Sequence, residues 1–425
     1  MSEKIVGLAE GAEGFFVKTS RFKTTLISFN FYLPLAKETV AEYALLPFIL
    51  TSCSKKYPDF SLLNYKLSKL YGARLDASAE KYGDYQLLKM TISVINDRYS
   101  LDGESLIIRA CDMLLGLIFE PNAEGGVFAE KDLAREKRKA IEHIKGDISE
   151  KRIYAKNRLI EEMYRDEAFG LPKCGTVEDV EKITGESLYN AWKRMLETAF
   201  IRVNVVGSNV PVGFFENISE KFASLERHDI TDCKRSSPTK STDTVKTVTE
   251  PMDVKQGKLC MGFSSEMYGN DDESLPLMVM TDIFGGGPYS RLFANVREKM
   301  SLCYYCSASP TRQKGLITVD SGVEMSNAEK AQAEILNQLE IVKRGEFTDF
   351  EFESSIKSIC DSLNSYNDSQ RTLDSWYTLK INNDALYSPA QIAEKVQMIT
   401  REDVIEAARG VKLHTVYKLT VKEGE

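Results

Sequence analysis

Histidine is the scarcest functional residue in this chain: only His143, His228 and His414 occur among 425 residues. No two of them lie one helical turn apart, which excludes a zinc site built on a helical histidine pair. A serine–histidine nucleophile would have to be assembled by spatial convergence alone, because no G-x-S-x-G joins a strand to a helix. Positive charge is also short. With 55 basic and 63 acidic residues the net charge is -8, so no overall field favours phosphates or anionic lipid, and neither nucleic acid nor a membrane is an expected partner. No apolar run approaches the ~20 residues of a membrane span. The amino-terminal "MSEKIVGLAEGAEG" lacks a basic region followed by an apolar core, and the expected location is cytoplasmic. The eight cysteines, at 53, 111, 174, 233, 260, 303, 306 and 360, follow no framework spacing and read as reduced thiols.

What is present is the composition of a folded protein, 43% hydrophobic and 28% charged, at a length that implies two domains. "FKTTLISFNFYLPL" alternates and is rich in β-branched and aromatic residues, as a strand requires, and a helix follows over 39–50. A second helix, "DFSLLNYKLSKLYG", leads into strands "ARLDASAEKY" and "QLLKMTISVI". Helices then cover 101–165 and 178–198 before the strand "FIRVNVVGS". From Gly257 the order recurs: strand "GKLCMGFSS", a helix over 272–284, a helix from near Pro288, strands "LCYYCSAS" and "LITVDSGV", further helices and a last strand "HTVYKLTV". The prediction is a duplicated α+β fold, two α/β units whose mostly antiparallel sheets are packed by helices on one face. Residues 227–244 are polar, rich in serine and threonine and without period, and are assigned as a linker between domains 1–226 and 245–425.

Several features have an ordinary reading beside a chemical one. The basic run "REKRK" lies in a helix that also holds Glu130, Asp132, Glu136 and Glu142, and reads as a solvated helix face. Cys303 and Cys306 form a C-x-x-C, but residues three apart on a strand point to opposite faces, no helix start follows to lower a thiol pKa, and no second pair completes a zinc site. They are expected to be structural. Gly285, Gly286 and Gly287 lack the Lys-Ser/Thr of a phosphate loop and read as a place where the backbone approaches another segment. Arg297, beside Glu298, is ordinarily an exposed helix charge, and Tyr304 ordinarily a partly buried strand residue. Together, a guanidinium and a phenol can also donate hydrogen bonds to a carbonyl as it gains negative charge. Such a pair needs a nucleophile from elsewhere.

The run "SRLFANVREKMSLCY" closely resembles the carboxy-terminal half of the pitrilysin/insulinase-like zinc peptidases, the class that includes the mitochondrial processing peptidase subunits. "LYGARLDASAEKYGD", "FGLPKCGTVEDVEKIT", "RVNVVGS", "GEFTDFEFESSIKS" and "ITREDVIEAA" extend the resemblance over essentially the whole chain. It implies two similar α/β roll domains forming half of a clamshell, and it gives Arg297 and Tyr304 the family's role of contacting substrate near the scissile bond and stabilising the tetrahedral intermediate. Gly285, Gly286 and Gly287 would then shape a substrate channel. Catalytic members of the family carry HxxEH on the first helix of the first half. Here the matching residues are Ala44, Leu45, Leu46, Pro47 and Phe48, which cannot hold a metal or act as base, and Pro47 is expected to disturb the helix. Tyr43 and Phe48 are expected to fill the vacated space. The downstream ligand region keeps Glu136 and Glu142 without a histidine pair. The resemblance therefore implies a non-catalytic subunit without its own cofactor. Its partner would be an HxxEH-bearing sister that holds zinc, and its substrate a peptide or unfolded polypeptide. The alternative is an inactive homologue serving as a peptide-binding or scaffold protein, with a homodimer as its association.

Overall fold

A computed structural model describes residues 2–269, 272–381 and 385–422. The first sheet contains β1 (Ser2–Ala9), β2 (Ala12–Lys18), β3 (Thr24–Pro34), β4 (Arg74–Tyr82), β5 (Tyr85–Ile95) and β8 (Phe200–Gly207), in the spatial order β1-β2-β8-β3-β5-β4; a short ribbon, β6 (Ala123–Glu124) with β7 (Val127–Phe128), stands apart. The second sheet contains β9 (Lys246–Met252), β10 (Gly257–Ser264), β11 (Cys303–Thr311), β12 (Leu316–Val323) and β13 (Lys412–Val421), in the order β11-β12-β10-β13-β9. Read from its other edge, that order matches β2-β8-β3-β5-β4 strand for strand. In each sheet the same pair is parallel, β2 with β8 and β9 with β13, and the remaining ladders are antiparallel. The duplication read from the order of elements is therefore a duplication of topology.

Helices α1 (Val40–Leu50), α2 (Phe60–Lys69), α3 (Leu106–Phe119), α4 (Glu130–Ser149), α5 (Lys151–Met163), α6 (Val177–Lys182), α7 (Gly185–Thr198) and α8 (Phe214–Phe222) belong to the first half of the sequence. The second half has α9 (Leu275–Gly285), a π-helix (Leu292–Lys299), α10 (Ala328–Lys343), α11 (Asp349–Ser365), α12 (Gln370–Thr378), α13 (Pro389–Gln397) and α14 (Arg401–Arg409). Among the described residues no helix is long and apolar enough to cross a membrane.

Contacts divide the chain into two compact units: Met1–Ile144 with Leu171–Cys233 and Asp368–Ile381, and Lys145–Gly170 with Lys234–Asn367 and Asn382–Glu425. Each unit thus contains one segment distant in sequence. In the first, β3 is buried along nearly its whole length, which requires cover on both faces. Ile27, Phe29, Phe31 and Leu33 enter the apolar core with α1, α3 and α7. Of the alternate residues, Ser28, Asn30 and Tyr32 are polar and face α12: Asp374 accepts from Ser28 Oγ (2.7 Å) and from Asn204 Nδ2 of β8 (2.8 Å) and pairs with Lys89, while Tyr32 donates to the carbonyl of Thr378 (2.7 Å). Period-2 alternation puts the two sets on opposite faces. In the second unit β12 is wholly buried, and α5 packs on β10 and β13 through Ala155, Leu159, Cys260, Tyr417 and Leu419. A single-faced helical layer was the expectation; each sheet also carries one helix on its second face.

Residues 227–244 hold no helix or strand, yet side chains pin them. The Arg227 guanidinium donates to the carbonyls of Glu10, Leu196 and Ala199, and Thr239 bonds the Lys314 carbonyl through both its amide and its hydroxyl.

Candidate functional site

In the first unit, α1 runs unbroken through Pro47, whose carbonyl accepts from both the amide (3.2 Å) and the hydroxyl (2.7 Å) of Thr51. The proline does not end the helix, although it removes one internal hydrogen bond. Tyr43 is buried. Phe48 is not; it is 40% exposed. Instead of being filled, the space beside α1 is a cavity of about 850 Å³, lined by Ala44, Leu45 and Phe48 of α1, by α2, by the edge strand β4 and by Arg135, Glu136, Lys139 and His143 of α4. The expected filling fails: Ala44 is small, and Phe48 lines the cavity while staying 40% exposed.

Glu136 is 2% exposed. Its carboxylate accepts from Arg135 Nε (2.8 Å) and Lys139 Nζ (3.1 Å), and the Arg135 guanidinium also reaches Asp132 (2.8 Å) and Ser52 Oγ (2.9 Å). Burial works against the Arg135 charge, but Glu136 and Asp132 outweigh it and hold the guanidinium above its usual range. Two residues of the basic run thus neutralise a buried acid rather than only facing solvent. Glu142 plays no part: it is exposed and pairs with Arg138 at 3.9 Å. Zinc does not fit these residues. The α1 side chains that line the cavity offer no donor atoms, the buried Glu136 carboxylate is already neutralised by two cations, and among the described residues no group of three His, Cys, Asp or Glu could hold a metal ion. The other histidines lie elsewhere, His228 beside Asp229 and His414 beside Thr415.

In the second unit the backbone departs from regular geometry three times between Leu292 and Tyr304. The helix expected from Pro288 forms later and as a π-helix over Leu292–Lys299, with the Met300 amide bonded to the Asn295 carbonyl at 3.0 Å. Arg291 fixes its start through Gln338 (2.8 Å) and Glu351 (3.1 Å), and Leu292 and Val296 anchor its inner face. Ser301 follows at φ +50, left-handed for a residue with a side chain. A β-bulge then interrupts β11: Cys303 pairs with Val323 and Tyr305 with Gly322, leaving Tyr304 as the extra residue.

Arg297 stacks over the Phe293 ring (4.6 Å), pairs with Glu298 (3.5 Å) and remains 40% exposed. Tyr304 is 62% exposed and donates to Glu324 at 3.3 Å. Both polar ends reach solvent. The bulge also corrects the expectation for Cys303 and Cys306. Their cross-strand partners, Val323 and Ser321, are two residues apart and share a face, so the cysteines share it too.

Gly285 ends α9 against β11, where a Cβ would lie 2.6 Å from the Ala308 amide nitrogen; a Cβ on Gly286 would strike the Asp282 carboxylate, and one on Gly287 would lie 2.8 Å from the Tyr289 ring. Backbone approaches Gly285 and Gly286 closely within this unit, whereas Gly287 faces only the Tyr289 side chain. The cavity, the neutralised Glu136 and the bulge were missed from sequence. The first two have a signal in hindsight, since a lone buried acid inside "REKRK" is surrounded by its own counter-ions.

A family model described as the peptidase M16 inactive domain matches residues 182–359. The chain is similar to the probable inactive metalloprotease YmfF of Bacillus subtilis (strain 168), with 30% identity over 423 residues and 97% of each chain covered. It is also similar to the uncharacterized zinc protease YmxG of the same organism, with 26% identity over 60% of each chain. Among solved structures, a conserved protein from Enterococcus faecalis V583 superimposes with a TM-score of 0.93 at 24% identity, covering 100% of this chain and 99% of that one, which speaks to the fold alone.

Proposed function

We propose, since the chain belongs to the M16 peptidase family as an inactive homologue, that it is the non-catalytic subunit of a heterodimeric zinc peptidase. An HxxEH-bearing sister chain supplies the metal and the water it activates. This chain supplies two hydrogen-bond donors, the Arg297 guanidinium and the Tyr304 hydroxyl, to the scissile carbonyl oxygen as negative charge develops on it. The observation that carries the reading is the backbone between Leu292 and Tyr304. A π-helix, a left-handed Ser301 and a β-bulge fall together, and each is a costly irregularity of the kind that collects where side chains must be re-aimed. Both donors end in solvent, available to a group the chain does not itself contain.

The test is a pair of substitutions in the assembled complex. Arg297→Ala should lower turnover by roughly 100- to 1000-fold and Tyr304→Phe by a similar order, with assembly by gel filtration unchanged. Full turnover in an assembled Arg297→Ala complex would remove the role.

A second reading is supported by the cavity beside α1. Its ~850 Å³ lies along the free edge of β4, so an extended peptide could pair with that edge and place an apolar side chain among Ala44, Leu45, Phe48 and Leu67. On this reading the chain binds peptide without cleaving it. Fluorescence polarisation with an unstructured labelled peptide separates the two: Ala44→Phe, which fills the cavity, should weaken binding at least tenfold if the cavity is used.

A further inference from the structure

All eight cysteines carry thiols rather than disulfides, and six are buried. Burial pushes the thiols of Cys53, Cys111, Cys233, Cys260 and Cys360 up, as expected of structural cysteines. Cys303 goes the other way. Hydrogen bonding from Cys306 lowers it, burial opposes, and Ser321 and the Arg297 guanidinium add to the lowering, leaving it at about 7. Cys306 is raised by the same contact and by burial. The geometry beneath this is the bulge. It brings the two sulfurs to one face of β11, opposite Val323 and Ser321, and the buried Ser321 hydroxyl on that face has no conventional partner.

Ladder positions two apart on a strand are separated by roughly 6.5–7 Å between Cα atoms. That is the upper end of what a disulfide spans, about 4.4–6.8 Å. Closing a bond between Cys303 and Cys306 therefore needs the backbone to draw in. The residue between them that is already outside the ladder, Tyr304, is where such movement is absorbed.

We propose that Cys303 and Cys306 form a peroxide-sensitive dithiol that closes to an internal disulfide. The Cys303 thiolate attacks one oxygen of a hydroperoxide, the O–O bond breaks, and the departing oxygen takes a proton as water or alcohol, leaving a sulfenic acid. The Cys306 sulfur then attacks the Cys303 sulfur, the S–O bond breaks, and hydroxide leaves with the Cys306 proton as water. The two thiols together lose two electrons and two protons, and one hydroperoxide is reduced. Closure tightens the bulge that holds Tyr304, so oxidation would also alter substrate handling; that consequence rests on the subunit reading above, whereas the thiol chemistry does not.

The test uses the full chain, reduced and then exposed to a few equivalents of hydrogen peroxide, alkylated and digested for mass spectrometry. The peptide holding both cysteines should lose two hydrogens and take no alkyl group, and dithiothreitol should restore both sites. In Cys306→Ala, which cannot close the bond, a dimedone adduct should appear on Cys303. Without peroxide, the alkylation rate of Cys303 should rise roughly tenfold per pH unit up to about pH 7 and then level. Arg297→Gln should move that midpoint upward. Full alkylation of both cysteines after peroxide, or oxidation spread evenly over all eight, would overturn the proposal. These readouts need no activity, so they separate its failure from that of the subunit reading. A chain that forms the disulfide but, oxidised before mixing, supports unchanged turnover would keep the dithiol and remove its link to Tyr304.

Discussion

The two units place corresponding elements beside corresponding edge strands and use them in opposite ways. In the first, a cavity of about 850 Å³ opens beside α1 and β4. In the second, α9 closes on β11 until Gly285 leaves no room for a Cβ beside Ala308. The open region is lined by apolar side chains on its α1 side, and its buried Glu136 is already paired with Arg135 and Lys139. The closed one is irregular in backbone and keeps two donors in solvent.

That contrast can be broken by substitution. The largest effect belongs to Arg297→Ala, through turnover of the complex as set out above. Next is Gly285→Val, which forces a side chain into the α9–β11 contact and should destabilise by about 1–3 kcal/mol, read from chemical denaturation. Its counterpart in the open unit, Ala44→Leu, should change stability by less than about 0.5 kcal/mol because the side chain enters the cavity. Equal costs at the two positions would show that the units are packed alike after all.

Glu136→Gln lies between them. Removing one member of a fully buried ion pair costs roughly 3–5 kcal/mol, but Arg135 and Lys139 are 30% and 58% exposed and can rehydrate, so about 1–2 kcal/mol is expected. The smallest effect is Glu142→Gln, below about 0.5 kcal/mol, since its pairing with Arg138 is exposed. Thermal denaturation of both variants ranks them; a larger cost at Glu142 would mean that the carboxylate facing the cavity has been misassigned.

Much of this was legible in the residues. The alternation of β3, the long helices and the recurrence from Gly257 identify a duplicated α+β fold, because local periodicity and order survive in a single sequence. Arg297 and Tyr304 are singled out by the resemblance of their run of neighbours, and their role rests on that resemblance. The strands β1, β2 and β9 are not evident in the sequence: β2 and β9 owe their place to parallel partners far along the chain, β8 and β13, and "KTVTEPM" carries Pro251 next to its end, which argues for an edge. The bulge at Tyr304 is a matter of register against β12, which no stretch of β11 encodes by itself. The polar cover of β3 by α12 was hidden for the same reason, since Ser28 and Asp374 are 346 positions apart and only their pairing makes burial of either affordable.

The most direct test of the central claim is cleavage of a fluorogenic unstructured peptide by this chain alone, by an HxxEH-bearing homologue from the same genome alone, and by the two mixed. The account predicts activity only in the mixture, abolished by a chelator and lost with Arg297→Ala. A homologue fully active alone and indifferent to mixing would contradict it.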